Sequence, residues 1–222
     1  MPRMDIFTFI HKGIRAMLYE QGRILMQADF TNQEATTRDL DSLGLCLQRL
    51  QEHGDVEEAH VFPSMNDHTP ELVNSMLDQH KSIHEKIAQV KSSASVFRDI
   101  QDTQIRIAAG DQLNREFNDL MAFYLAHMNR EETEMVPATW QYLTDEMLGG
   151  IVSVIQRNTP PAALTDNLGW AIKSINNTEL VGLLKGVRAT APSEMLEKVK
   201  DIAEKALPQD RWEYIKNAAG LN

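Results

Sequence analysis

An eleven-residue pattern occurs twice in this 222-residue chain and limits what the chain can fold into. Residues 53–63 (HGDVEEAHVFP) and 127–137 (HMNREETEMVP) both read H-x3-E-E-x4-P. Residues i and i+4 of a helix project from the same face, about 5–6 Å apart, so each copy presents an imidazole beside a carboxylate. The pattern therefore predicts two helices that each offer a His/Glu pair suited to binding a metal. The two pairs are His53/Glu57 and His127/Glu131.

Histidines elsewhere in the chain extend this pattern. His11 lies 42 residues before His53, and His84 lies 43 residues before His127, so each half places a histidine at a similar distance from its motif. His80 adds a second i,i+4 pair with His84. The spacing predicts two helical hairpins that each contribute ligands to one central site.

Composition narrows the class of protein. Hydrophobic residues make up 42% of the chain and charged residues 24%, which is typical of a globular protein. The net charge of −10 is the wrong sign for a generic nucleic-acid binder. Cys46 is the single cysteine, no apolar run of about 18 residues occurs, and we expect no secretory leader. We therefore expect a cytoplasmic protein without nucleic-acid or membrane partners.

Apolar residues recur with helical period in four long stretches of the first 142 residues. Pro63 and residues 66–70 are expected to end the second helix, and Thr69-Pro70 to begin the third. Four long helices joined by modest loops predict an all-α fold, an antiparallel four-helix bundle whose core is a common place for metal sites. The first predicted helix covers residues 4–28, the second follows the turn at residues 29–33 and runs to the first motif, the third opens at Thr69-Pro70 and continues at least to Val90, and the fourth covers roughly residues 111–141.

From Leu143 onward the pattern changes to short helical segments separated by turn signals. We therefore divide the chain into a bundle, residues 1–142, and a C-terminal helical extension, residues 143–222. The extension contains no histidine, and its role as structure or as interaction surface stays open. The turn signals are at residues 149–150, 158–161, 176–177, 191–192 and 207–210.

The histidines and glutamates can be assigned to a pair of metals. If both carboxylates and one oxygen atom bridge the two metals, each metal receives three oxygens. The metal that takes His80, His84 and His127 is then six-coordinate, and the metal that takes His11 and His53 keeps one open position. An open position at a redox-capable pair suits dioxygen, nitric oxide or peroxide. The full ligand set is His11, His53, Glu57, His80, His84, His127 and Glu131.

The donor set also bears on which metal binds. Imidazole and carboxylate ligands suit iron or manganese, and the absence of thiolate ligands argues against a closed structural zinc site. Two iron ions are the preferred prediction because mixed nitrogen and oxygen ligands support both the ferrous and the ferric state. Manganese and zinc stay open as alternatives.

In order and number these residues resemble the ligands of the hemerythrin-like, HHE cation-binding family. The resemblance covers about residues 4–140. It implies a four-helix bundle around a non-heme di-iron centre with bridging carboxylates, reversible oxygen binding or sensing, and roles in iron metabolism or in oxidative and nitrosative stress. It also implies that the seven residues named above are the metal ligands.

These observations leave three hypotheses about function. The first is a di-iron protein that binds dioxygen or a related small oxidant for sensing, storage or stress response. The second is a di-iron oxidase, peroxidase or nitric-oxide-handling enzyme that uses the same centre, so the question of enzyme activity stays open. The third is an interaction module that signals metal status through residues 144–222 to a protein partner that the sequence does not identify.

Several neighbours of the predicted ligands have two interpretations. Glu58 and Glu132 are either solvated or hydrogen-bonded to a ligand histidine. Phe123 and Tyr124 either pack in the core or line the pocket, where the Tyr124 hydroxyl would donate to a bound ligand. His60 is a surface residue or an outer partner, because a ferritin-type site requires two E-x-x-H motifs and this chain has one.

The ligand assignment predicts which substitutions remove metal. Glu57→Ala and Glu131→Ala should each remove a bridging carboxylate and lower the metal content toward one ion or none per chain. His68→Ala, in a predicted loop, is the control and should leave the metal content unchanged. Metal analysis of the three purified variants measures this, and equal metal content in all three would refute the assignment.

Overall fold

The structure, a computed structural model, describes residues 3–221, and within that range every regular element is a helix. This confirms the predicted all-α class. The chain divides into two compact units, Met1–Ile6 with Met17–Ile155, and Phe7–Ala16 with Gln156–Asn222. None of the described helices is both long enough and apolar enough to cross a membrane. The domain boundary at residue 142 stays a prediction.

The first unit contains a bundle of four long helices with two short ones, followed by helical residues 145–155. Helix α1 contributes its residues from Met17 onward to this unit. A π-helical turn joins α2 to α3, and another joins α5 to α6. The helices are α1 (Thr8–Gln27), α2 (Gln33–Val56), α3 (Phe62–Met65), α4 (Pro70–Ser95), α5 (Thr103–Arg130) and α6 (Val136–Tyr142).

Contacts between α2 and α4 show that these helices are antiparallel. Lys91 of α4 donates to the side chain of Gln51 of α2 at 3.2 Å. Seven residues after Gln51, in the π-helical turn that follows α2, a carboxylate oxygen of Glu58 lies 2.9 Å from Nδ1 of His80 in α4. As the chain advances from 51 to 58 on one helix, the contact moves back from 91 to 80 on the other. This register brings the first motif level with the middle of α4.

The connection between α4 and α5 is closed by a buried cation. Arg106 is 5% exposed, and its guanidinium donates to the backbone carbonyls of Phe30, Phe97 and Ile100 at 2.7–3.1 Å. Buried guanidinium groups require such acceptors because an unpaired buried charge is costly. The three bonds tie the turn after α1 and the turn after α4 to the start of α5.

Two predicted boundaries differ from the structure. Helix α5 begins at Thr103 rather than at residue 111, because the Asp102 side chain accepts from two backbone N–H groups of its first turn at 2.8 and 3.0 Å. The prediction missed this turn because Ile105 and Ile107 are exposed and obscure the apolar period. The second helical segment does not stop at Pro63; it continues through a π-helical turn to Met65 and ends directly before residues 66–70, the other part of the predicted end.

The last five helices begin at a constant interval of 16 residues, at positions 145, 161, 177, 193 and 209. The fourth residue of each is leucine, except in α11, where it is Trp212. Gly149 and Gly150 lie inside α7, so the turn predicted there is wrong; the other four signals fall at the ends of helices. The helices are α7 (Asp145–Asn158), α8 (Pro161–Ser174), α9 (Asn177–Thr190), α10 (Ser193–Ala206) and α11 (Gln209–Ala219).

A two-residue linker with extended backbone explains the repeat. Leu207 ends α10 with ψ 151°, and Pro208 precedes α11 with φ −55° and ψ 144°. Proline disfavours helical geometry in the residue before it, so the helix stops at Leu207. The Leu207 N–H still closes the last turn by donating to the Ala203 carbonyl at 3.0 Å. Ala191 and Pro192 repeat this arrangement between α9 and α10.

Within the second unit, alternate helices pack on each other. Helix α8 packs on α10 and α9 packs on α11, as in repeat proteins whose units bury their apolar faces only against near neighbours. Arg188 of α9 donates to the Gly220 carbonyl at 2.9 Å beyond the end of α11. The core of this unit consists of Ile172, Ile175, Leu180, Leu184, Val199, Ile202, Ala203, Leu207, Trp212, Ile215 and Ala219.

A matched pair of glycine substitutions tests the packing of the bundle. A Cβ atom at Gly110 of α5 would lie 2.2 Å from Cδ2 of Phe30, whose ring stacks on Phe97 with centroids 5.2 Å apart. Gly110→Ala should therefore lower the free energy of unfolding by about 1–3 kcal/mol. Gly44 of α2 has no atom within 4 Å of the same position, so Gly44→Ala should stabilise by about 0.5–1 kcal/mol. Chemical denaturation measures both, and equal stability of the two variants would contradict the packing.

Candidate metal centre

Each copy of the eleven-residue motif leaves α-helical geometry at its first glutamate. The π-helical turns span Glu57–Val61 and Glu131–Met135. In the first turn the Phe62 N–H donates to the Glu57 carbonyl, five residues earlier. Pro63 follows, and proline has no N–H and would clash with the carbonyl four residues before it, so an ordinary α-helix cannot continue. The second copy repeats this arrangement, and thus the final proline of the motif accompanies a widened turn at each glutamate.

The two carboxylate oxygens of Glu57 face histidines of two different helices. Oε1 lies 3.2 Å from Nε2 of His53 in α2, and Oε2 lies 3.5 Å from Nε2 of His80 in α4. The Glu57 residue is only 3% exposed. A carboxylate in this position can bind one cation with each oxygen.

Glu131 provides a second buried carboxylate at the same place. Its Oε1 lies 3.3 Å from Nε2 of His127 and 4.0 Å from Nε2 of His80. Glu57, His80, His127 and Glu131 each offer a ligand atom within 4.8 Å of the others, and so do His53, Glu57 and Glu131. Both glutamates therefore belong to both groups of donor atoms.

His80 and His127 present their Nε2 atoms to each other at 3.0 Å. Nδ1 of His80 lies 2.9 Å from a carboxylate oxygen of Glu58, and Nδ1 of His127 lies 2.9 Å from Oε1 of Gln79. Because these oxygens only accept, Nδ1 carries the proton when the imidazoles are neutral, and each Nε2 then turns its lone pair toward the other ring. Two facing lone pairs favour a cation. Two nitrogens bound at right angles to one ion at about 2.1 Å would lie about 3.0 Å apart, so the donor set fits a metal.

Burial makes it costly for these glutamates to carry negative charge unless protons or cations lie beside them. Burial and the neighbouring Glu57 carboxylate raise the pKa of Glu131 well above its usual value. Burial lowers the pKa of His80, but hydrogen bonds and charges from Glu57 and Glu58 outweigh it, so the pKa is raised overall. Without a metal the site holds protons that a bound cation would displace.

The structure brings five of the seven predicted ligands together within the first unit. His84 is not among them, because its side chain is 37% exposed and its Nε2 lies 3.8 Å from a carboxylate oxygen of Asp55. His11 is fully buried in the part of α1 that belongs to the second unit, with its ring 5.7 Å from that of Phe7. The ligand roles of His11 and His84 stay predictions. The five residues are His53, Glu57, His80, His127 and Glu131.

Two neighbours of the site have functions that the sequence left open or did not indicate. The Tyr124 hydroxyl donates to the Leu50 carbonyl at 3.0 Å, so it serves the bundle core rather than a ligand at the site. Gln79 was not predicted, because a residue next to His80 in sequence gives no signal that it reaches His127 on another helix. Glu58, by contrast, does contact a predicted ligand histidine.

The model of the hemerythrin HHE cation binding domain matches residues 4–139 of this chain. The chain belongs to this family. Comparison with curated proteins and with solved structures gave no match. The hemerythrin HHE match covers both motifs and all five residues that the structure brings together, so family and geometry agree on a cation-binding helical bundle.

Replacing one buried carboxylate should stabilise the metal-free protein. Because the folded protein holds a proton on Glu131 more tightly than the unfolded chain does, stability falls as pH rises from about 4.3 toward the raised pKa of this group. Glu131→Gln removes this penalty. We expect it to raise the free energy of unfolding at pH 7.5 by about 1–4 kcal/mol and to lose this advantage near pH 4.5.

Thermal unfolding of chelator-treated protein across this pH range measures the effect. Asp119→Asn, an exposed change in α5, the helix that precedes Glu131, is the control and should stay within about 0.5 kcal/mol of the unchanged protein at every pH. A Glu131→Gln variant that is less stable, with an unaltered pH dependence, would contradict this view of the site.

Proposed function

We propose that this hemerythrin-family chain is a non-heme di-iron protein that binds dioxygen or a related small oxidant, for sensing, storage or stress response. The observation that supports this proposal is the sharing of Glu57 and Glu131 between two groups of donor atoms. A single mononuclear site would need only one such group. Two groups with two carboxylates in common fit two cations held side by side.

Each side chain then has a defined task. His53 and His11 would bind one ion, His80 and His127 the other, and the two glutamates would bridge them. Glu57 is oriented for this role because its two oxygens face His53 and His80 separately. The partly exposed His84 lies outside both groups. The proposed ligands are His11, His53, Glu57, His80, His127 and Glu131.

Iron fits this donor set because imidazole and carboxylate ligands stabilise both of its common oxidation states. Iron, when bound, supplies the redox-active centre at which a small oxidant binds. The chain supplies a dry, fixed surrounding. The ring of Phe62 lies 5.2 Å from that of His80, and the ring of Tyr124 lies 6.0 Å from that of His127, so aromatic rings cover the imidazoles and exclude water.

The proposal is tested by metal analysis and optical spectroscopy of protein loaded with ferrous iron without oxygen. We expect two irons per chain, and a spectral change on admission of oxygen that reverses when oxygen is removed. Repeated consumption of peroxide or nitric oxide would instead support the enzyme hypothesis. Zinc alone, or no metal after reconstitution, would contradict a di-iron centre.

His80 and His84 provide a matched pair of variants, since both are histidines on one face of α4. His80→Ala removes a buried donor and should lower the iron content by about one ion per chain and abolish the reversible spectral change. His84→Ala removes a partly exposed imidazole and should lower the iron content less. An equal loss in both variants would show that His84 turns inward and binds metal, as the sequence predicted.

A further inference from the structure

The two histidines that face each other at the centre have outer partners of different charge. His80 donates from Nδ1 to the carboxylate of Glu58, and His127 donates from Nδ1 to the carboxamide of Gln79, both at 2.9 Å. Both rings turn Nε2 inward toward the buried glutamates, and these Nε2 atoms lie 3.0 Å apart. The two imidazoles therefore differ in the charge of the partner that accepts their Nδ1 proton.

An outer partner affects a metal ligand in two ways. It fixes the tautomer and the orientation of the imidazole, and it alters how strongly the ring donates electrons to the metal. A carboxylate draws the Nδ1 proton more strongly than a neutral carboxamide does, since hydrogen bonds to ionised acceptors are the stronger ones. His80 should accordingly be the better electron donor of the two.

We propose that Glu58 and Gln79 are positioning residues that hold the His80 and His127 imidazoles for metal binding, and that Glu58 makes His80 the stronger donor. This proposal rests on the proposed metal centre, but Glu58 and Gln79 are not among its ligands. The metal ion that these two histidines share would be held more tightly, and in a higher oxidation state more readily, than two carboxamide partners would allow.

The position of Glu58 makes it suitable for this role and for a test. It follows Glu57 within the π-helical turn, so the turn that orients the buried glutamate also directs Glu58 toward α4. Its side chain is 36% exposed and lines a surface groove with Lys81 and Glu85, whereas its partner His80 is 2% exposed. A substitution at Glu58 therefore alters a buried ligand from the surface and leaves the bundle core intact.

The test compares four variants with the unchanged protein, using cobalt(II) and ferrous iron as probes. Glu58→Ala should weaken binding of one ion per chain by about 10–100-fold, the usual cost of losing an outer partner. Glu58→Gln should recover most of this affinity but raise the reduction potential of the iron-loaded centre. Gln79→Glu should lower that potential. Glu85→Gln removes one negative charge from the same groove and should change neither quantity.

If Glu58 had a purely structural role, the reduction potential of the iron-loaded centre would not rise in the Glu58→Gln variant and fall in the Gln79→Glu variant. Equal cobalt affinity in Glu58→Ala and Glu85→Gln, or potentials that do not respond to either exchange, would overturn the proposal. Cobalt binding needs no oxidant, so unchanged protein that binds cobalt but shows no oxidant chemistry refutes the proposed function alone. Unchanged protein that binds neither metal overturns both.

Discussion

Two carboxylates buried side by side impose the main constraint on this bundle. Glu57 and Glu131 lie in a core from which water is excluded, and each raises the cost of the other's charge. The folded chain can hold them only with protons or cations beside them. Three imidazoles of the first unit, those of His53, His80 and His127, are turned toward the carboxylates. The side chains that require a nearby positive charge are therefore the same ones that can bind a metal. The centre is thus a source of metal affinity and a cost to the metal-free fold.

The antiparallel helices and the π-helical turns together produce this juxtaposition. Register places the first motif beside His80 in the middle of α4, and the second motif reaches the same level on α5. At that level each helix widens, at the residue where a carboxylate is needed, because Pro63 or Pro137 lies six residues beyond the glutamate. Proline in the motif is therefore part of the site, although it contributes no ligand atom.

Much of the bundle and of its centre could be predicted from spacing alone, since helical i,i+4 pairs depend only on local geometry. The π-helical turns could not, because the same proline equally predicts a helix end. Spacing alone does not distinguish His80 from His84, whereas in the structure His80 is buried and His84 is partly exposed. Gln79 lies in α4 and accepts from His127 in α5, and a local sequence pattern does not predict a contact between two helices. The 16-residue interval of the last five helices was visible in the positions of leucine and proline, but only the individual turns were recognised.

The most direct test of this account is anomalous scattering from crystals of the metal-loaded protein, measured at the iron absorption edge. The account predicts two anomalous peaks per chain, with Glu57 and Glu131 between them, His53 on one side, and His80 and His127 on the other. A single peak bound by only one of the two groups, with either glutamate turned away from it, would contradict the central claim that these carboxylates are shared by two ions.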